Sequence, residues 1–330
     1  MLRSFTVSRR RWPLKAPFRI SRGVKTAAET VMVELRRGDV VGRGESVPYP
    51  RYGESVDGVV AQLETVAGAF EAGEPDESLA AMLSAGAARN ALDCALWDLR
   101  ARETGRSVAA MTDLARPERL VCAVTISLDE PEAMAAAARA SADAPLVKVK
   151  LDGELVEQRL LAVGQAAPHS RLIIDPNEGW TIDILRGVAP LLARMNIALI
   201  EQPLPADDDH ALEGFDPPAP VCADESVHTV ETLSALRNRY QAVNIKLDKT
   251  GGLTEAIALL REARRQDFMV MTGCMVGSSL AITPALHIAG ASDFADLDGP
   301  WWLADDWAGG VRLEGGWMSP PTAGFWGEPG

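Results

Sequence analysis

From residue 119 onward the chain repeats one phrase, a short apolar run followed by a helix-forming stretch, and the apolar run occurs eight times. The runs are 120–128, 145–151, 171–175, 197–201, 219–224, 242–247, 268–273 and 293–298. Their spacing of roughly 22 to 27 residues is the period of a parallel β/α barrel, in which each strand is followed by a helix that covers it. PEAMAAAARASAD, LVEQRLLAVGQAA, TVETLSALRNRY and LTEAIALLREARRQ supply helical stretches between the strands. After Asp298 the pattern stops without an obvious eighth helix, so the expected unit is a barrel that lacks its last helix.

Two flanks need a place around it. Phe5 to about Gly44 shows β-branched alternation and a Gly-Asp turn, which predicts strands and a hairpin. The stretch 54–103 then favours helices, with Ala88, Ala91, Leu92, Ala95, Leu96 and Leu99 at helical spacing. Strands followed by helices predict an α+β domain. The tail from Gly299 carries five of the eight tryptophans and should pack inward, because exposed indoles are costly. The expected organisation is an α+β domain over 1–115, a (β/α)7β barrel over 116–298 and a segment over 299–330 that returns to the first domain.

Charge narrows the function classes. A net charge of -13 argues against non-specific nucleic-acid binding and against an anionic membrane surface, both of which need a positive field. No 18-residue apolar run occurs, so a cytoplasmic protein is the default expectation. Cys94, Cys122, Cys222 and Cys274 lack paired spacing and read as reduced thiols. The four histidines form no motif. Oligomeric state is not set by these features, and a homo-oligomer is compatible with them.

In such a barrel the functional groups stand where the strands end. Asp175, Glu201 and Asp224 finish three consecutive strands, and three unpaired anions facing one cavity would repel strongly. An all-oxygen set without His or Cys points to a hard cation, Mg²⁺ before Mn²⁺. The alternative is that individual acids cap the following helices. Lys148 and Lys150, two apart in a strand, share the interior face. Either carboxylates simply neutralise them, or Lys150 works as a base. Lys246 ends strand six, across the barrel from strand two. Asp296 and Asp298 form another same-face pair, suited either to closing loops or to holding a cationic group of a substrate.

The ordered set K-V-K, D-P-N, E-Q-P, A-D-E-S and N-I-K-L-D-K-T-G-G-L resembles the enolase superfamily, in its muconate-lactonizing-enzyme-like subgroup. The AARNALDCALWDL helix, the PYPRYGES loop and the F-A-D-L-D-G-P run are similar, more narrowly, to bacterial dipeptide epimerases of the L-Ala-D/L-Glu type. That resemblance implies a capping domain over the barrel, one Mg²⁺ per subunit on Asp175, Glu201 and Asp224, and acid/base roles for Lys150 and Lys246. It further implies Lys148 beside the substrate carboxylate, Asp296 with Asp298 on a dipeptide's α-ammonium, and Thr125 and Cys274 at the substrate. A Lys base working with Mg²⁺ is a general property of enolase-superfamily sites, so this expectation is inherited rather than new.

The implied reaction is inversion at the α-carbon of the dipeptide's C-terminal residue. A proton beside a carboxylate is hard to remove because the product carries two charges on one CO₂ group, and Mg²⁺ with Lys148 is expected to stabilise it. The same lysines could serve an o-succinylbenzoate synthase-like dehydration or a cycloisomerisation, although Asp296 and Asp298 suit a cationic substrate better. A Schiff-base lysine barrel is the rival from another class. Arg22 is a candidate partner for a side-chain carboxylate, with Arg19 and Lys25 nearby, and Arg51 and Tyr52 for a lid.

Overall fold

The first described strands build a three-stranded antiparallel sheet. A computed structural model describes residues 3–329. Its β1 (Ser4–Ile20), β2 (Gly23–Arg37) and β3 (Val40–Ser46) lie in the order β1-β2-β3. Gly38, at φ 61°, supplies the positive φ that the two-residue turn between β2 and β3 requires. Val31, Val33 and Leu35 alternate onto a buried face against helix Ala87–Thr104, as period 2 dictates. This helix is buried nearly all round, which its alanines permit by letting backbones approach closely.

Eight parallel strands form the second unit: β5 (Val124–Ile126), β6 (Leu146–Lys150), β7 (Arg171–Asp175), β8 (Ile197–Glu201), β9 (Val221–Ala223), β10 (Ala242–Ile245), β11 (Met269–Gly273) and β12 (Phe294–Asp296). They are hydrogen-bonded in sequence order, and the Ala123 N–H donates to the Ala295 carbonyl across the closing seam. The architecture is therefore the (β/α)7β barrel with an α+β cap. Its first predicted strand is divided. A separate β4 (Leu120–Val121) pairs with β14 (Trp317–Ser319), itself the partner of β13 (Arg312–Glu314), and only residues from Val124 enter the barrel.

Two local expectations are corrected. The stretch TVETLSALRNRY is not an α-helix; it forms a 3₁₀ helix over Val230–Ala235 followed by turns. Val230, Leu233 and Leu236 recur at a strict spacing of three, which suits 3.0 residues per turn and leaves no 3.6-period stripe. The tail also does not bury every indole. Trp326 is wholly buried and donates to the Arg43 and Cys94 carbonyls in the cap, but Trp301 is half exposed beneath the Lys15 ammonium. Among the described residues no helix is long and apolar enough to cross a membrane.

The cap holds the barrel at the loop that matters most. Arg89 donates to the Thr250 and Gly251 carbonyls, Asn90 and the Val47 amide donate to Asp248 Oδ1, and Asp93 accepts from the amide and hydroxyl of Thr254. Gly252 has φ 114° and lies so close to Asp93 that a Cβ there would clash. These contacts fix the segment that begins at Lys246.

Candidate active site

Nine of the eleven residues singled out above line one cavity of 440 Å³ at the strand ends: Arg22, Thr125, Lys148, Lys150, Asp224, Lys246, Cys274, Asp296 and Asp298. The other two, Asp175 and Glu201, are fully buried behind Lys148. Period 2 explains the selection, since the last inward residue of each strand faces the barrel mouth. The roof comes from the cap: the tip of the β1–β2 hairpin carries Phe18, Ile20 and Arg22, and the loop after β3 carries Tyr49, Arg51 and Tyr52.

The charges form an alternating lattice. Lys148 Nζ lies 2.6 Å from Asp296 Oδ2, 2.6 Å from Glu201 Oε2 and 2.9 Å from Asp175 Oδ2. Lys150 Nζ is 2.5 Å from the same Asp175 oxygen. Across the barrel, Lys246 Nζ and Lys249 Nζ each lie 2.6 Å from a different oxygen of Asp224. Burial works to lower the Lys148 and Lys246 ammoniums, but these carboxylates outweigh it and hold both well above their ordinary value. Asp224, in turn, is held well below the usual carboxylate range: burial opposes this, and Lys246 and Lys249 win.

Glu201 is the exception. Burial, and then the charge of Asp175, push it up to about 8 despite Lys148. Its Oε1 accepts from Asn244 Nδ2 at 2.8 Å, whereas its Oε2 is buried without a properly oriented donor. Among the described residues no group of three His, Cys, Asp or Glu side chains is arranged as a ready-made metal site, because the oxygens are drawn to the ammoniums. The donor set nevertheless fits Mg²⁺. It consists of three buried hard oxygen donors from consecutive strand ends, and one of them, Glu201, shares the ammonium beside its Oε2 with Asp175 and Asp296.

Above the cavity, cap and barrel are fastened by Glu178. It accepts two hydrogen bonds of 2.8 Å from Arg51 and one of 2.8 Å from Arg22, and Arg22 also reaches Glu225 at 2.6 Å. Asn177 and Glu178 have φ 48° and 67°, a left-handed pair rare outside glycine, and such strain persists where surrounding contacts over-determine it. Glu178→Gln is expected to lower kcat/KM about tenfold, roughly the loss of one charge-assisted hydrogen bond at a partly exposed site. Steady-state kinetics on the wild type and the variant check it, and an unchanged kcat/KM would reject the fastening role.

Two family profiles match this chain: "Mandelate racemase / muconate lactonizing enzyme, N-terminal domain" over residues 2–112, and "Enolase C-terminal domain-like" over residues 132–325. The chain belongs to the enolase superfamily. It is 50% identical over 307 residues to an L-Ala-D/L-Glu epimerase of Escherichia coli K12, covering 92% of this chain and 96% of that protein. It is 44% identical to an N-acetyl-D-glutamate racemase of a Pseudoalteromonas species, over 90% and 95% of the two chains. Among solved structures it is similar to an Agrobacterium tumefaciens enolase family member with homology to dipeptide epimerases, which has bound sodium, L-Ala-L-Glu and an ordered loop. That structure gives a TM-score of 0.96 at 47% identity and covers 98% of this chain and 100% of its own. A dipeptide epimerase from Methylococcus capsulatus complexed with Mg and L-Arg-D-Lys aligns with a TM-score of 0.88 at 30% identity, over 97% and 98% of the two chains.

Within this enolase-superfamily site, four contributors escaped the sequence reading. Lys249 braces Asp224, through one carboxylate oxygen and its carbonyl. Gln202 accepts from the Asp224 and Ser226 amides and donates to Leu204 O, Ser226 Oγ and Tyr240 Oη, so it sets the pose of a strand end it does not belong to. Glu178 and Glu225 anchor the roof. Three of them stand inside motifs quoted above, Gln202 in E-Q-P, Glu225 in A-D-E-S and Lys249 in N-I-K-L-D-K-T-G-G-L, and Glu178 directly follows D-P-N.

Proposed function

We propose that this protein is a Mg²⁺-dependent dipeptide epimerase that inverts the α-carbon of the C-terminal residue, with L-Ala-L/D-Glu as the preferred pair. The observation that carries the reading is the buried, unpartnered Oδ1 of Asp296 on the cavity wall. An α-ammonium would satisfy this acceptor, whereas an acylated nitrogen would leave it bare. Asp298, whose Oδ2 accepts from the Thr125 amide at 2.8 Å, stands beside it.

Asp175, Glu201 and Asp224 would hold the Mg²⁺. Bound there, the cation neutralises the carboxylates and, as a Lewis acid, makes the carbon beside the substrate carboxylate more acidic. Lys148, at the centre of the same wall, faces that carboxylate with a permanent positive charge. Lys150 on strand two and Lys246 after strand six are four strands apart around an eight-stranded barrel, so they approach the α-carbon from opposite faces. One, as the free amine, takes the α-proton; the other, as the ammonium, delivers a proton to the far face. The carbon inverts and the pair of lysines ends with its protonation states exchanged. A cytoplasmic setting belongs to this proposal, supported by four cysteines that all stand as single thiols.

The test is α-deuterium uptake in D₂O, read by mass spectrometry over an L-Ala-X and L-X-Glu library with N-acetyl-L-Glu included, before and after chelation. Metal-dependent uptake at the C-terminal α-carbon, strongest for L-Ala-L-Glu, is the expected result. Uptake on N-acetyl-L-Glu alone would transfer the assignment to racemisation of N-acetylglutamate, the Pseudoalteromonas relative being named an N-acetyl-D-glutamate racemase.

A further inference from the structure

One uncharged, fully buried side chain is tied to all three strand ends that carry Asp175, Glu201 and Asp224. Gln202 follows Glu201 directly, so the chain itself joins it to the end of β8. Its backbone N–H donates to the Cys222 carbonyl on β9, and its carbonyl accepts from the Glu178 amide, each at 2.9 Å. Glu178 ends the short turn in which the Asn177 amide donates to Asp175 Oδ1 at 2.9 Å, so the second of these bonds holds the turn after β7. The side chain then reaches the third strand end. Its Oε1 accepts from the Asp224 amide at 2.8 Å and from the Ser226 amide at 3.2 Å.

The backbone shows that this reach is what the position requires. Gln202 has φ 33°, a left-handed value that a β-carbon disfavours and that glycine or asparagine adopts more readily, and Pro203 after it favours an extended neighbour. A residue kept in such a conformation is held there by its surroundings. Asparagine would ease the strain, but its amide would stand one methylene short of the Asp224 and Ser226 amides. Nε2 fixes the far side, donating to the Leu204 carbonyl, Ser226 Oγ and Tyr240 Oη, each at 2.9 Å. Asn177 and Glu178 are left-handed as well, so the hydrogen bond from the Glu178 amide to the Gln202 carbonyl joins two consecutive strained loops.

Fixed spacing of the donors matters differently to different cations. Mg²⁺ tolerates little departure from octahedral geometry with oxygens at about 2.0–2.1 Å, whereas Ca²⁺ accepts irregular sets at about 2.3–2.6 Å. Groups that orient metal ligands without touching the metal are worth about 10- to 100-fold in affinity. We infer that Gln202 is a positioning residue of the cation site: by fixing the spacing of the strand ends that carry Asp175, Glu201 and Asp224, it makes these carboxylates favour Mg²⁺ over Ca²⁺. The inference rests on the reading of the three carboxylates as the Mg²⁺ donors. A residue that only filled space would support both cations alike.

The experiment follows the Tm of the full chain, freed of metal by chelation and dialysis and then titrated with MgCl₂ or CaCl₂, in the wild type, Gln202→Met, Gln202→Asn and Tyr240→Phe. Mass action converts each titration into an apparent affinity without any activity measurement. Gln202→Met keeps the length and loses every side-chain hydrogen bond. Its Mg²⁺ affinity is expected to fall about 10- to 100-fold and its Ca²⁺ affinity much less, so that the Mg-over-Ca ratio drops about tenfold or more. Gln202→Asn should move the ratio the same way, and its tolerance of positive φ keeps the test open should Gln202→Met not fold. Tyr240→Phe removes the Oη at the far side of the amide and leaves the Oε1 contacts in place, so it should lower Tm with the wild-type ratio intact. An unmoved ratio in a folded Gln202 variant, or an equal drop in Tyr240→Phe, would overturn the inference. A wild-type Tm that answers neither cation would reject the metal reading of the three carboxylates, and this inference with it.

Discussion

Lys150→Ala and Lys246→Ala are each expected to lower epimerisation by about 10³- to 10⁴-fold, the scale of a lost general acid or base that has no substitute. The diagnostic part is an asymmetry. Each single variant keeps one amine, so it should still exchange the α-proton of the epimer whose hydrogen faces that amine, and no longer that of the other. Paired D₂O wash-in measurements on L-Ala-L-Glu and L-Ala-D-Glu read this directly. The losses should not add in the double variant, since a two-proton step already fails when either partner is missing. Folding is a smaller concern than burial suggests. Without Lys246, Asp224 still has Lys249 at 2.6 Å; without Lys150, Asp175 still has Lys148 at 2.9 Å. Wild-type exchange of both epimers in both variants would remove the two-lysine mechanism.

What could be read from the chain alone was whatever follows from strand parity. Lys148 and Lys150 had to share a face because they are two apart in a strand, and Asp175, Glu201 and Asp224 had to meet because each closes its run at the same end of a parallel barrel. The roof obeyed no such rule. Glu178 acts from a loop whose two consecutive left-handed residues have no glycine to betray them, and Arg22 finds Glu225 203 residues away. Arg22 read as a free partner for a substrate anion on paper, because composition does not say which cation the fold has already engaged with its own carboxylates. The segment after β9 misled for a related reason. Helix-forming residues are present, but their apolar spacing of three closes a tighter turn than 3.6 allows.

Lys148 is the residue whose loss the fold should feel most. It is 1% exposed and touches three carboxylates from strands three, four and eight. Lys148→Met keeps most of the volume and removes the charge. Asp175 would retain Lys150, but Glu201 would be left with Asn244 alone and Asp296 with no donor from the protein. Breaking a buried ionic set in this way costs roughly 3–5 kcal/mol, because the partners stay buried and uncompensated. For a chain of this size Tm should fall on the order of 10 °C. The size of a cation's effect then separates the two roles of the lattice. If Asp175, Glu201 and Asp224 hold Mg²⁺, adding it should raise Tm in both proteins by mass action, and by more in Lys148→Met, where the carboxylates no longer have that ammonium to compete for them. Thermal melts of both proteins with and without Mg²⁺ make the comparison without any activity measurement. A Tm unmoved by the substitution would mean that the three acids do not depend on Lys148, and a Mg²⁺ response equal in both proteins would mean that the ammonium and the metal do not share them.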